Sequence, residues 1–253
     1  MGAHFMKKVI AAIDNSAAAR PVLAMAQAVA SALAGVLDAL HVIEDGEETA
    51  RASAETAGAD LRTLSGDPVE QLSLAVAEED VVALVLGTRG ALGGPRPAGH
   101  LALALAGRTD KPVVVVPPDA RPPKQLRRVL VAMEGTPGKA HALQRTIELS
   151  GDGGLEIVVV HVDEEIPSFT DQVQHETEAY TQEFFARHVL GAPQARLELR
   201  IGVPAAQVLD AVESLHPDLV AVGWPHTADP GRASVAREIL DRSPVPVLLV
   251  AVN

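Results

Sequence analysis

The chain has 253 residues, 47% of them hydrophobic but only 2% aromatic, with 21 Lys and Arg against 33 Asp and Glu and no cysteine. A formal charge of −12 argues against sequence-independent binding to nucleic-acid phosphates or anionic membranes, which depends on clustered Lys and Arg. The absence of Cys excludes a disulfide framework, a thiol nucleophile and thiolate metal sites, and the length admits one large domain or two ordinary ones.

Residues 1–5 precede a second methionine and carry no functional weight. The β-branched run Val9 to Ile13 is the first predicted strand; Asp14 closes it before it reaches the length of a signal-peptide core, so a cytoplasmic protein is expected. Val22 to Leu37 is predicted as an Ala-rich amphipathic helix, because Arg20, Gln27 and Ser31 fall on one face and Asp38 ends the stretch too early to span a bilayer. Val36 to Ile43, Val81 to Leu86 and Val113 to Val116 are the next strand-like runs, alternating with helical periodicity at Pro68 to Glu78 and Leu101 to Ala106. Pro117 to Lys124 contains four prolines and reads as a linker. Beyond it, strands are expected near Val129, Ile157, Leu197, Leu219 and Val247, with helices near Ala142, Glu176, Ala206 and Ala236.

The two stretches match each other. Lys7 to Asp14 aligns with Arg127 to Glu134, and Leu40-His41-Val42 with Val160-His161-Val162, each 120 residues apart. Gly66-Asp67-Pro68 aligns with Gly202-Val203-Pro204, and Gly87 with Gly223, each 136 apart; Lys111-Pro112-Val113 aligns with Val245-Pro246-Val247 at 134. Continuous apolar strands separated by helices imply parallel sheets covered on both faces. The expected fold is α/β: two tandem Rossmann-like doubly wound domains, residues 6–118 and 125–253, each a five-stranded parallel sheet with helices on both faces.

Ligands of such sheets bind beyond the carboxyl ends of the strands, where the strand order reverses. In the first copy that region holds Asp14-Asn15-Ser16, His41-Val42 and Gly87-Thr88-Arg89-Gly90, followed by Gly93-Gly94 and Gly99-His100. Glycines permit close approach of backbone N–H groups to an anion. Taken alone, a glycine cluster is more often turn-making than phosphate-binding.

With Asp14, His41-Val42, Gly87-x2-Gly90 and the closing Pro112 to Val116 strand, the arrangement resembles the universal stress protein family, and its tandem two-domain members in particular. The resemblance implies ATP, accompanied by Mg²⁺, in the first domain: Asp14 and Val42 at the adenosine portion, Gly87 and Gly90 at ribose and phosphate, Gly99 and His100 at the phosphates; Arg89, between the first glycines, is counted with the binding residues. Two departures stand out. Eight residues rather than nine separate Gly90 from Gly99, and His100 replaces the family's hydroxyl residue. In the second copy Glu134, His226 and Ala233 replace Asp14, Gly90 and Gly99, so that half is expected to be degenerate.

Other readings stay open. Asp14 can simply cap the first helix, Trp224 can be plain packing, and His41 and His161 suit buried structural roles better than metal binding, since no ligand stands at zinc spacing. No hydrolase elbow or Walker-type loop occurs, and no catalytic or metal-binding residue is assigned. The expected function is a stress-response protein that binds an adenine nucleotide and acts as a regulator or interaction module on an unidentified protein partner. The alternatives are a scaffold whose glycine loops serve only the fold, and a slow ATPase. The apolar closing strands predict an intramolecular pseudo-dimer joined edge to edge, with a further homodimer also compatible.

Overall fold

The computed structural model describes residues 6–43, 46–88, 100–133, 154–163, 195–225 and 233–252. In the first half β1 (Lys8–Ala12), α1 (Ala19–Ala32), β2 (Val36–Ile43), α2 (Glu48–Thr56), β3 (Leu61–Ser65), α3 (Pro68–Val76), β4 (Val81–Gly87), α4 (His100–Ala106) and β5 (Val113–Val116) follow one another. In the second half the described elements are β6 (Arg128–Met133), β7 (Glu156–Asp163), β8 (Ala195–Ile201), α5 (Pro204–Leu215), β9 (Leu219–Pro225), α6 (Ser234–Arg242) and β10 (Val247–Val252). The helices expected near Ala142 and Glu176 fall outside the described residues.

The strands form one ten-stranded sheet in the order β3-β2-β1-β4-β5-β10-β9-β6-β7-β8. Every pairing is parallel except the central one, β5 against β10, where Val113, Val114 and Val115 lie opposite Leu249, Leu248 and Val247. The five strands on either side of that seam follow the same order, so each half is doubly wound. The expected antiparallel pairing of the closing strands is therefore present, and it merges the two sheets into one.

Alternation along the strands divides the interior into two layers. Val9, Ala11, Val85, Val114, Val131 and Val159 face the side covered by α1 and α2, while Ile10, Leu40, Leu84, Leu130 and Val158 face α3, α4, α5 and α6. The central strands are uncharged because both of their faces are covered. Helix α1 lies close against the sheet through small residues, with Ala26 and Ala30 fully buried, and turns Arg20, Gln27 and Ser31 to solvent.

Three features differ from the sequence reading. Helix α1 stops at Ala32, not Leu37, because Ala34 takes φ +51 and Gly35 lets the chain pass under Lys7 into β2. Helix α2, which opens at Glu48 in an acidic stretch after β2, was not among the expected helices. The edge strand β3 is half-buried and carries Arg62 and Thr63, so it lacked the apolar signature of the inner strands.

Corresponding turns are capped differently in the two halves. Asp67, before α3, accepts a hydrogen bond from the Glu70 N–H at 2.9 Å, the expected geometry of a helix cap ahead of Pro68. Val203, before α5, has the same extended backbone, makes no side-chain cap and is 66% exposed. Val203→Asp is therefore expected to stabilise the chain by about 1 kcal/mol, read as a higher urea midpoint with an unchanged m-value; a lower midpoint would refute the capping argument.

Candidate functional site

In the order β3-β2-β1-β4-β5 the chain runs outward from β1 and then crosses back to β4, so the crevice of a doubly wound sheet opens between the carboxyl ends of β1 and β4. The register fixes what stands there. Ala12 is level with Leu40 on β2 and Leu86 on β4. Two residues beyond on β1 and β2 come Asp14 and Val42, and one beyond on β4 comes Gly87. Residues far apart in sequence thus come within one residue of the same level on neighbouring strands, which lie about 4.8 Å apart.

Their environments differ. The Val42 side chain is 9% exposed and belongs to the core under α3 and α4. Gly87, the last residue of β4, lies opposite Val116. His100 is exposed at the first turn of α4. Arg89, Gly90 and Gly99 lie outside the described residues.

Asp14 is partly committed to the turn that begins α1. Its Oδ1 accepts from the Ser16 N–H at 3.1 Å and the Ser16 hydroxyl at 2.5 Å, and Ser16 Oγ in turn accepts from the Ala18 N–H at 3.2 Å. Among the described residues no hydrogen bond reaches its other oxygen, Oδ2. One carboxylate oxygen shapes the turn, and the other is left as an acceptor at the crevice.

Two further residues tie this turn to the neighbouring segment. The His41 ring, 4% exposed, places Nδ1 2.9 Å from the Ile13 carbonyl and Nε2 2.8 Å from the Gly46 carbonyl. Asn15 Oδ1 accepts from the Thr49 and Ala50 N–H groups at 2.7 and 3.0 Å. The histidine is thus structural, as expected; the role of Asn15 was not legible in the sequence, since its partners lie 34 and 35 residues away.

The perturbed titratable groups of the first half gather mainly at the opposite, amino end of the sheet. Lys8 pairs with Asp80 at 2.8 Å, and Arg62 bridges Glu78 at 2.8 Å and Asp38 at 3.4 Å. Burial pushes the Asp38 carboxyl up against the opposing pull of Arg62, and the bond from Lys8 holds Asp80 below its ordinary value. Burial likewise lowers Lys111, whose Nζ donates to the Glu78 carbonyl. This network joins β1, β2, β3 and the turn before β4, away from the crevice.

At the carboxyl ends of the second half, the position matching Thr88 is Trp224. Its side chain is 5% exposed in the same core as Ala236 and Ile239, with the Arg237 guanidinium 5.4 Å from its ring centroid. That is a packing role. His161 Nε2 lies 3.3 Å from Asp163 Oδ1, where His41 meets a carbonyl. Ala233 and Ser234 begin α6, while Glu134 and His226 lie outside the described residues. Among the described residues no group of three His, Asp or Glu could hold a metal ion, and no helix is long and apolar enough to cross a membrane.

The model of the universal stress protein family matches residues 125–251, just over half of the chain. The chain belongs to the universal stress protein family. The match falls on the half whose glycine pattern is the more altered. Solved structures of similar fold span nearly the whole length of this universal stress protein. One from Archaeoglobus fulgidus DSM 4304, itself a universal stress protein, is 18% identical with a TM-score of 0.67, covering 96% of this chain and 98% of that one. The functionally unknown protein PA1789 of Pseudomonas aeruginosa PAO1 is 14% identical with a TM-score of 0.62, covering 98% and 93%. At these identities the likeness concerns the fold. No curated protein matches the sequence.

Proposed function

We propose that the first half binds ATP at the β1–β4 crevice and that the chain serves the stress response as a nucleotide-dependent regulator or interaction module rather than by turnover. The observation that supports this reading is that the strand register brings Asp14, Val42 and Gly87 within one residue of the same level at the switch point. Asp14 Oδ2 is an acceptor for the hydroxyl or amino groups of adenosine, and Gly87 presents backbone without a side chain to ribose and phosphate. The exposed His100 imidazole can donate to a phosphate oxygen, and Arg89, Gly90 and Gly99 complete the set by their place in the family pattern. With no cluster of acidic ligands among the described residues, Mg²⁺ would travel on the phosphates with waters filling its shell. A non-nucleotide interaction protein is favoured by one observation, the engagement of Asp14 Oδ1 with Ser16.

Titration calorimetry decides between them. One ATP per chain is expected, with Gly90→Val weakening binding at least tenfold, or about 1.4 kcal/mol. Asp14→Ala should weaken it too, while lowering stability by only about 1 kcal/mol through the lost turn bonds. No binding heat in the parent protein, or an unchanged affinity in Gly90→Val, would remove the nucleotide reading; two equivalent sites would show that the second half also binds.

A further inference from the structure

Helix α2 begins without a cap of its own. Glu47, the residue before it, makes no side-chain bond to the helix amides. Those of Thr49 and Ala50, the second and third helical residues, are instead taken by Asn15 Oδ1, which does from another loop what a capping side chain does locally. Asn15 is the neighbour of Asp14, and its backbone is part of the same turn. The His41 ring stands between the Gly46 carbonyl, just ahead of α2, and the Ile13 carbonyl, just ahead of Asp14, within hydrogen-bond distance of both and, when neutral, donating to one of them. Two ties therefore fasten the segment that starts α2 to the residues on either side of the crevice carboxylate. The residue 120 positions later is Gly135, which has no side chain with which to do the same.

We infer that Asn15 is a positioning residue of the nucleotide site, its side-chain bonds to Thr49 and Ala50 holding Asp14 at the crevice and coupling ligand binding there to the order of α2. The inference rests on the nucleotide reading proposed above. A cap that merely stabilised α2 would leave nucleotide affinity alone. A positioning cap makes the two processes depend on each other, because coupling between sites is reciprocal: what loosens α2 weakens the ligand, and the ligand protects α2.

Hydrogen exchange followed by mass spectrometry on the full chain, with and without ATP, reads one direction, and ATP calorimetry on variants reads the other. In the parent protein, ATP is expected to slow exchange of the Thr49 and Ala50 amides several-fold. Asn15→Ala is expected to speed that exchange and to weaken ATP binding about fivefold, the low end of typical coupling. Asn15→Asp, isosteric and keeping the acceptor, should restore the slow exchange; because its charge stands beside Asp14, well inside the Debye length of about 8 Å, its affinity is compared using adenosine, which carries no phosphate, and should return to the parent's. If Asn15→Ala frees the two amides while ATP affinity stays within about twofold, below the usual range of coupling, Asn15 is only a helix cap and the nucleotide reading survives. If ATP leaves the parent amides unchanged although it binds, the coupling is wrong. If the parent binds no ATP, both the reading and the positioning role fall. Should Asn15→Ala not fold, the parent exchange experiment and Asn15→Asp still decide.

Discussion

Leu248→Asp is expected to abolish cooperative folding. Leu248 is 1% exposed, sits opposite Val114 at the antiparallel seam, and belongs to a core layer that includes Val29, Ala83, Leu126, Val129 and Leu219. A carboxylate there has no cationic partner among those residues, and removing it from water costs several kcal/mol. The whole chain has only about 5–15 kcal/mol of stability from which to absorb it. The milder Leu248→Ala separates burial from charge: it should cost about 2–5 kcal/mol, measured by urea unfolding under circular dichroism. A loss below about 1 kcal/mol in Leu248→Ala, smaller than any buried leucine truncation of this kind, would mean that the seam is not closed in solution.

Gly35→Ala should cost about 3 kcal/mol, in the range of buried strain and overpacking. A Cβ on Gly35 would lie 2.6 Å from the Lys7 carbonyl oxygen, and that oxygen already accepts the Val36 N–H at 2.8 Å. The obstacle is backbone, held by the first bond between the β1 and β2 edges, so no side-chain rotation relieves it. Equilibrium unfolding of Gly35→Ala checks this directly. A change within about 0.5 kcal/mol, ordinary for an unconstrained surface site, would show that the α1–β2 turn yields more easily than its geometry implies.

The inner strands were legible because β4, β5, β9 and β10, and β1 from Val9 on, lie between covered faces and are apolar, which leaves an unbroken signature. Gly35 shows the limit of that signature. An apolar stretch from Val22 to Leu37 cannot reveal where helix yields to strand, because both segments are buried; the break is set by a close backbone approach with no compositional trace. Helix α2 hides for the opposite reason: Glu47 and Glu48 look like solvated loop, and the cap that starts the helix comes from Asn15 on another strand end. The strand-end positions of Asp14, Val42 and Gly87 were legible, since they follow from the strand boundaries and the winding order. What each atom does was legible only in part. The bonds of Asp14 to Ser16, two residues on, are the local role its place before α1 allowed; that Asn15 reaches Thr49 and Ala50 is decided by contacts no spacing encodes.

The direction of the seam also determines the polarity of the molecule. Because β5 and β10 run opposite ways, the strand directions of the two halves are reversed, and the crevice of one half opens toward the end of the sheet at which the other half presents its amino-terminal turns. The protein is two-headed. A surface laid against the carboxyl ends of the first half's strands meets the charged Arg128–Glu156 side of the second, not its Trp224 end. The three facing residue pairs of the seam, with the core layer that runs past them from Val29 and Ala83 to Val129 and Leu219, are the axle on which the two heads are set.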